Sequence, residues 1–349
     1  MDFFGCCEFH NLFPEPWPFG GWLLPRLPAS VRHYLTDNGR AAAEEATGGE
    51  LRFVAHDARV HLRLQSLEAD TEVHLYRGDY FVRSCLLRAG TVQTLELVEE
   101  ERVGQLREAE KISGRVFAAS LWRVIFGRAR IVLHDFDSLG GEVRPPVAAE
   151  KPAWQWLAYG SSITHSSLAG YPAQAGRRLA VDVQNKGLSG GCFAEPALAR
   201  CFCENCHWGL LTLELGINMR GHFGADEFAR RSRAFIETCV TAGRGKPVVL
   251  ITILPNGACL PGAEPELGRR ELAYNACLHG LAREFDAEGV VLIEGRELLP
   301  ELSLLKADLL HPTDLGQAVI AERLAVRLGP LLGQKGAALS PERGAGCLM

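Results

Sequence analysis

Between Leu51 and Phe136 the chain changes character at every second residue. Val60, Leu62 and Leu64 alternate with His61, Arg63 and Gln65, and Val73 and Leu75 alternate with His74 and Tyr76. A two-residue period belongs to strands with one face in a core and the other in water. Phe81-Val82, Val92 to Val98, Leu121 to Phe126 and Ile131 to Phe136 add strands at short spacing, several of them separated by Gly or Asp turns. This half is therefore predicted to be an all-β sandwich of jelly-roll type. Ahead of it, the proline-, tryptophan- and glycine-rich residues 13 to 28 predict a strap lying across a surface, and Ser30 to Ala46 a short helix closed by Thr47-Gly48-Gly49. Between Glu142 and Pro152, prolines argue against regular structure and predict a linker.

Beyond Pro152 the pattern becomes alternating βα. Trp156 to Tyr159, Val181 to Gln184, Leu210 to Leu215, Val248 to Leu254 and Val290 to Ile293 are apolar runs of strand length. Between them lie helical stripes: Tyr171 to Leu179, Pro196 to Cys203, a helix built on Phe228, Phe235, Ile236 and Cys239, and one built on Tyr274, Leu278, Leu281, Ala282 and Phe285, in which Asn275 is also a helix position. A last helix, Leu315 to Leu328, is capped by Thr313. Strands alternating with helices imply a parallel sheet covered on both faces, with its ligand site beyond the carboxyl ends of the strands. The chain thus divides into a β-sandwich domain at 1–145, a linker at 146–153, an α/β domain at 154–330 and a flexible tail at 331–349.

Composition changes this picture little. The 349 residues are 47% hydrophobic and 23% charged, ordinary for packed domains, and a formal charge of −5 gives no reason to expect a nucleic acid or an anionic membrane as partner. No apolar run reaches the roughly eighteen residues that suggest a membrane span. The start, Met1-Asp2-Phe3-Phe4, lacks the basic region of a secretory signal, and eleven cysteines scattered through helices and strands read as free thiols, so a reducing cytoplasm is expected. Gly346-Cys347-Leu348-Met349 has its cysteine one place short of a prenylation box. Glu99-Glu100-Glu101 reads as a solvated loop. Cys201, Cys203, Cys206 and His207 have no second ligand pair at finger spacing, so neither a metal nor another cofactor is expected.

Four features fall on the same edge of the predicted sheet. Gly160-Ser161-Ser162 follows the first strand, Gly190 the second and Gly216-Ile217-Asn218 the third, while Asp308-Leu309-Leu310-His311 precedes the last helix. Acyl transfer through serine needs a base, a carboxylate to orient that base, and donors where a carbonyl oxygen becomes an oxyanion. Each role has a candidate here. Asp308 and His311 are three apart, so the carboxylate can meet one imidazole nitrogen while the other faces Ser162. His165, three residues past Ser162, is poorly placed as a base against that hydroxyl and is read as a substrate contact; His222 is read as a rim residue.

These blocks resemble those of the SGNH hydrolases, the GDSL esterase and lipase superfamily. Gly160-Ser161-Ser162 matches its Gly-Asp-Ser, Asn185 and Gly190 its glycine block, Gly216-Ile217-Asn218-Met219 its Gly-x-Asn-Asp, and Asp308 with His311 its Asp-x-x-His. The similarity spans roughly residues 154 to 330. It implies a flavodoxin-like α/β/α domain in which Ser162 is the nucleophile, His311 its base and Asp308 the orienter, with the Ser162 N–H, the Gly190 N–H and Asn218 as oxyanion hole. Two departures, Ser161 and Met219 in place of Asp, should alter substrate preference or local hydrogen bonding; Met219 is assigned with His165 to substrate binding. The amino-terminal half, through Leu24 to Pro28, Glu50 to Val54, Leu121 to Val124 and Val143 to Pro146, is similar to the sandwich preceding this domain in a two-domain subgroup that includes an acyltransferase of polyketide tailoring. Such sandwiches resemble carbohydrate-binding modules, which implies a role at the acceptor side of the cleft. The expected activity is hydrolysis of short acyl or acetyl esters, of small molecules or acylated carbohydrates. The alternatives are transfer to a sugar or polyketide alcohol, or an inactive glycan-binding protein.

Overall fold

A computed structural model describes residues 3–55, 59–98, 102–113, 116–166, 168–260 and 265–333. In the amino-terminal half two antiparallel sheets face each other. One runs Glu8–His10, Glu50–Ala55, Leu121–Phe126, Thr71–Arg77, Tyr80–Leu87, with Val143–Arg144 also paired to Glu50–Ala55. The other runs Glu15–Pro16, Trp22–Leu23, Ile131–Asp137, Val60–Ser66, Val92–Leu97. The alternation produces the expected sandwich, because Val60, Leu62 and Leu64 point inward with no exposed surface while Arg63 between them faces water. Phe53 and Phe136 meet edge to face across the core at 5.0 Å.

Several local expectations are corrected. Residues 13 to 28 are not only a strap: Glu15–Pro16 and Trp22–Leu23 pair into the second sheet, in strands too short to show a period. The predicted helix from Ser30 to Ala46 is two, Ala29–Arg32 and Asp37–Glu44, because the Thr36 hydroxyl caps the second by accepting the Gly39 N–H at 3.2 Å. A helix at Val103–Ser113, unforeseen, interrupts the β pattern. In the proline stretch, Val143–Arg144 pairs with Val54 and Ala55, and Arg144 grips Glu150 through two hydrogen bonds across the turn Ala148–Glu150. Glu99 to Glu101, and the tail from residue 334 onward, lie outside the described residues; Leu331 and Leu332 close a last turn.

The second half is a five-stranded parallel sheet in the order Asp182–Asn185, Gln155–Tyr159, Leu210–Glu214, Val248–Ile251, Val290–Ile293. This is the flavodoxin-like order, in which the connections from the neighbouring strands Gln155–Tyr159 and Leu210–Glu214 leave in opposite directions and open a crevice at their carboxyl ends. Tyr171–Leu179 and Asp314–Leu328 cover one face; Pro196–Glu204, Ala225–Gly243 and Pro265–Glu284 cover the other. Both cores are apolar, with Trp156, Leu210 and Val249 under the first pair of helices and Leu157, Leu211 and Leu250 under the second group.

Buried charge joins the halves. Arg52, with no exposed surface, donates to both oxygens of Asp182 at 2.7 Å and to Glu50 at 2.8 Å. Arg26 donates to the carbonyls of Asn185 and Gly187 at 2.8 and 2.9 Å, and Lys186 returns a hydrogen bond to the Arg26 carbonyl at 2.6 Å. Gly191 lies so close to the start of the Asp37–Glu44 helix that a Cβ there would sit 2.2 Å from Gly39 Cα.

Candidate active site

Ser162 sits in the turn that follows Gln155–Tyr159, at the crevice. Gly160 makes the turn possible, since a Cβ there would lie 2.2 Å from Thr164 Oγ1. His311 arrives from a turn before Asp314–Leu328, whose first residues are fixed by the Thr313 hydroxyl accepting the Gly316 N–H at 3.1 Å. That preceding turn bends sharply, with Leu309 at φ +52°, a left-handed conformation costing roughly 1–2 kcal/mol for a side-chain-bearing residue. It is held by the Gly257 N–H, which donates to the Leu309 carbonyl at 2.6 Å, and by the Lys306 N–H on the His311 carbonyl at 2.8 Å.

The three side chains form a continuous line. Ser162 Oγ and His311 Nε2 are 2.8 Å apart, and His311 Nδ1 is 2.8 Å from Asp308 Oδ2. Asp308 Oδ1 also accepts the N–H groups of Leu310 at 3.0 Å and His311 at 2.9 Å. Led by the His311 N–H, these bonds hold the Asp308 carboxyl down at about 2. An ionised Asp308 accepts the Nδ1 proton, and that tautomer leaves Nε2 free to take a proton from Ser162.

Two further groups follow the strands on either side of Gln155–Tyr159. Gly190 has φ +65° and faces Asn38 of the amino-terminal half, whose Nδ2 would be 3.2 Å from a Cβ at 190. Asn218 Oδ1 accepts the Cys192 N–H at 3.2 Å, which leaves its Nδ2 to donate. Gly216, at φ +117°, permits the preceding bend where a side chain would strike Ile253. Tyr34, Asn38, Phe193 and His222 line a cleft together with Gly190, so His222 lies on a rim to which both halves contribute.

The two residues assigned to substrate contact lie elsewhere. His165 is buried, with Nδ1 on the Ser189 hydroxyl at 2.9 Å and Nε2 on the Thr47 hydroxyl at 3.0 Å; burial first, then Arg26 and Arg128, hold its pKa well below the ordinary range. It is a neutral bridge between the halves. Met219 has no exposed surface and packs in the core, because its backbone is drawn inward by the Tyr274 hydroxyl on its carbonyl at 3.2 Å. Glu214, overlooked in the sequence, lies directly beneath Ser161. Its signal was a lone carboxylate in the apolar run Leu210 to Leu215. Cys201, Cys203 and Cys206 are free thiols; Cys201 packs on the buried face of its helix, and Cys203 lies against Cys239.

A parallel sheet with this strand order and a serine, an imidazole and a carboxylate in line beyond its carboxyl edge defines a serine hydrolase acting on esters. Residues 158–319 match the model of the GDSL-like Lipase/Acylhydrolase family. No curated protein sequence matches the chain. Among solved structures it is similar to a salicylyl-acyltransferase from a tetracycline biosynthetic pathway, with 16% identity, a TM-score of 0.76, and 95% of this chain and 96% of that one covered. It is also similar to a family two carbohydrate esterase from Clostridium thermocellum, in complex with cellohexaose, with 14% identity, a TM-score of 0.59 and coverage of 94% and 99%. An acetyl xylan esterase from the rumen bacterium Butyrivibrio proteoclasticus gives 12%, 0.57, 94% and 96%. At these identities the likeness is one of fold, and it extends over both halves. Among the described residues no helix is long and apolar enough to cross a membrane.

Proposed function

We propose that the protein is an esterase that cleaves short acyl esters, including those of carbohydrates, through an acyl-enzyme on Ser162. The observation that carries this reading is the unbroken line from Asp308 through His311 to Ser162, with both links at 2.8 Å. His311 Nε2 takes the hydroxyl proton as Ser162 Oγ attacks the ester carbonyl, and Asp308 stabilises the imidazolium that forms. The Ser162 N–H, the Gly190 N–H and Asn218 Nδ2 receive the developing oxyanion. The imidazolium then gives its proton to the departing alcohol, and water activated by the same imidazole releases the acid. The similarity to carbohydrate esterases supports an acylated sugar as substrate. A Ser162→Ala variant that cleaved short-chain p-nitrophenyl esters as fast as the parent would sink the proposal.

A second reading keeps the acyl-enzyme and replaces water with an alcohol of a sugar or polyketide. It is favoured by the fold likeness to an acyltransferase across 95% of the chain, and by a cleft to which the amino-terminal half contributes Tyr34 and Asn38. Product analysis with water and an alcohol acceptor in competition separates the two. The third alternative, an inactive glycan-binding protein, fits poorly with a relay in which every link is within hydrogen-bonding distance.

A further inference from the structure

The turn carrying Ser162 is held from beneath by one carboxyl oxygen. Glu214 ends the strand Leu210–Glu214 and is 2% exposed. Its Oε2 accepts the Ser161 N–H at 2.7 Å, the Ser161 hydroxyl at 2.7 Å and the Thr164 hydroxyl at 3.2 Å. Ser161 is bound at its remaining polar positions by the turn itself: its Oγ accepts the Ile163 N–H at 3.2 Å and its carbonyl the His165 N–H at 2.9 Å. The amides on either side of the Ser162 N–H are therefore fixed, one by Glu214 directly and the other through the Ser161 hydroxyl. Glu214 also reaches the opposite wall. Its backbone carbonyl accepts the Cys192 thiol at 3.6 Å, and the Cys192 N–H holds the Asn218 amide.

We propose that Glu214 is a positioning residue for the esterase reaction, aiming the Ser162 hydroxyl and N–H by gathering the Ser161–Thr164 turn onto a single oxygen. A buried carboxyl is costly to desolvate compared with an apolar side chain. Here it binds the groups that set the direction of Ser162, and Gly160 makes room for it, since a Cβ at 160 would stand 2.6 Å from Oε2. What the turn requires is an acceptor at the Oε2 position. A glutamine with its amide oxygen there meets that need, whereas an apolar side chain of similar size leaves the buried Ser161 hydroxyl and N–H without their acceptor and the Thr164 hydroxyl with Tyr171 alone, at 2.7 Å.

The inference rests on the reading of Ser162 as nucleophile, so its test carries that reading as a separate arm. Inactivation by a fluorophosphonate is followed for the full-length parent and for Ser162→Ala, Glu214→Gln, Glu214→Leu and Ser161→Ala, with thermal unfolding of each. We expect the parent to be labelled and Ser162→Ala not; an unlabelled parent would remove the hydrolase reading and this inference with it. Glu214→Gln should react within about threefold of the parent, while Glu214→Leu, still unfolding cooperatively, should react about a hundredfold more slowly, the scale of loss for a nucleophile misplaced by about an ångström. KM for a p-nitrophenyl ester should stay close to the parent's in both, the loss appearing in kcat. Labelling of a folded Glu214→Leu at the parent's rate would overturn the proposal. Should that variant not fold, Ser161→Ala decides: a rate about tenfold below the parent's supports the proposal, and an unchanged rate overturns it.

Discussion

Asp308 holds His311 in two ways, through one oxygen on the ring and the other on its backbone N–H. In the proposed mechanism this fixes tautomer and ring direction together. Asp308→Asn is therefore expected to keep the turn but present an amide that can stabilise the opposite tautomer, lowering kcat for ester hydrolysis by about a hundredfold or more. Steady-state assays at neutral pH check this; an unchanged kcat would show that the carboxylate has no such role. Because the folded pKa of Asp308 is depressed to about 2, its contribution to stability is present above the ordinary carboxylate range and is lost as pH falls toward that value. Asp308 thus stays ionised throughout the neutral range. At this scale the sequence was informative where chemistry follows from spacing: three residues from Asp308 to His311 fit one turn. It was silent where partners are distant. Nothing near His165 announces that Thr47, in the other half, will bind its Nε2, and nothing near Met219 announces that its side chain turns inward.

Regular elements were legible where burial imposed a period. Most strands of four or more residues stand close to their predicted positions, whereas Tyr80–Leu87, expected only as Phe81-Val82, and the eleven-residue helix Val103–Ser113 do not. The two-residue strands at Glu15–Pro16, Trp22–Leu23 and Val143–Arg144 show no period and took their place only through partners elsewhere in the chain. Turns depended on glycine, and there the consequences can be measured. Gly160→Ala would bring a Cβ to 2.2 Å from Thr164 Oγ1 and 2.6 Å from Glu214 Oε2, so the turn must shift and take Ser162 with it. We expect hydrolysis to fall about a hundredfold, in kcat more than in KM. Gly190→Ala meets a milder obstacle, positive φ and Asn38 at 3.2 Å, and is expected to lower stability by about 1–2 kcal/mol while weakening activity less than Gly160→Ala. Equal activity of Gly160→Ala and the parent would mean that the turn tolerates rearrangement.

Across the whole molecule, the two halves are joined by charges removed from water. Asp182 is desolvated, yet Arg52 and His10 keep its carboxyl below the ordinary range. Asp182→Ala would leave the two Nη groups of a fully buried Arg52 short of their main acceptor, with Glu50 and Glu8 as its remaining carboxylate partners, and is expected to destabilise the protein by about 1–3 kcal/mol, with both halves melting in one transition. Two separate transitions with the carboxyl-terminal half unaffected would show the halves to be independent. A second whole-molecule property follows from Glu214, which burial pushes up to about 7 against the Ser161 and Thr164 donors, with the Tyr171 and Cys192 side chains as its titratable neighbours. A carboxyl whose folded pKa is raised takes up a proton on folding. Stability relative to Glu214→Gln should therefore fall as pH rises from about 4.5 to about 7 and level off above; a flat difference in melting temperature would contradict the burial. None of this was visible in sequence, since Arg52 and Asp182 are 130 positions apart and neither is marked by a motif.

The relay from Asp308 to Ser162 is examined most closely by trapping its covalent product. The parent is mixed with p-nitrophenyl acetate, quenched in acid within the first turnover and digested for mass spectrometry. We expect one acetyl group on the peptide containing Ser162, absent in Ser162→Ala and slow to accumulate in a His311 variant. Rapid ester cleavage with no acetyl on Ser162, or with acetyl on another side chain, would rule out the mechanism proposed here.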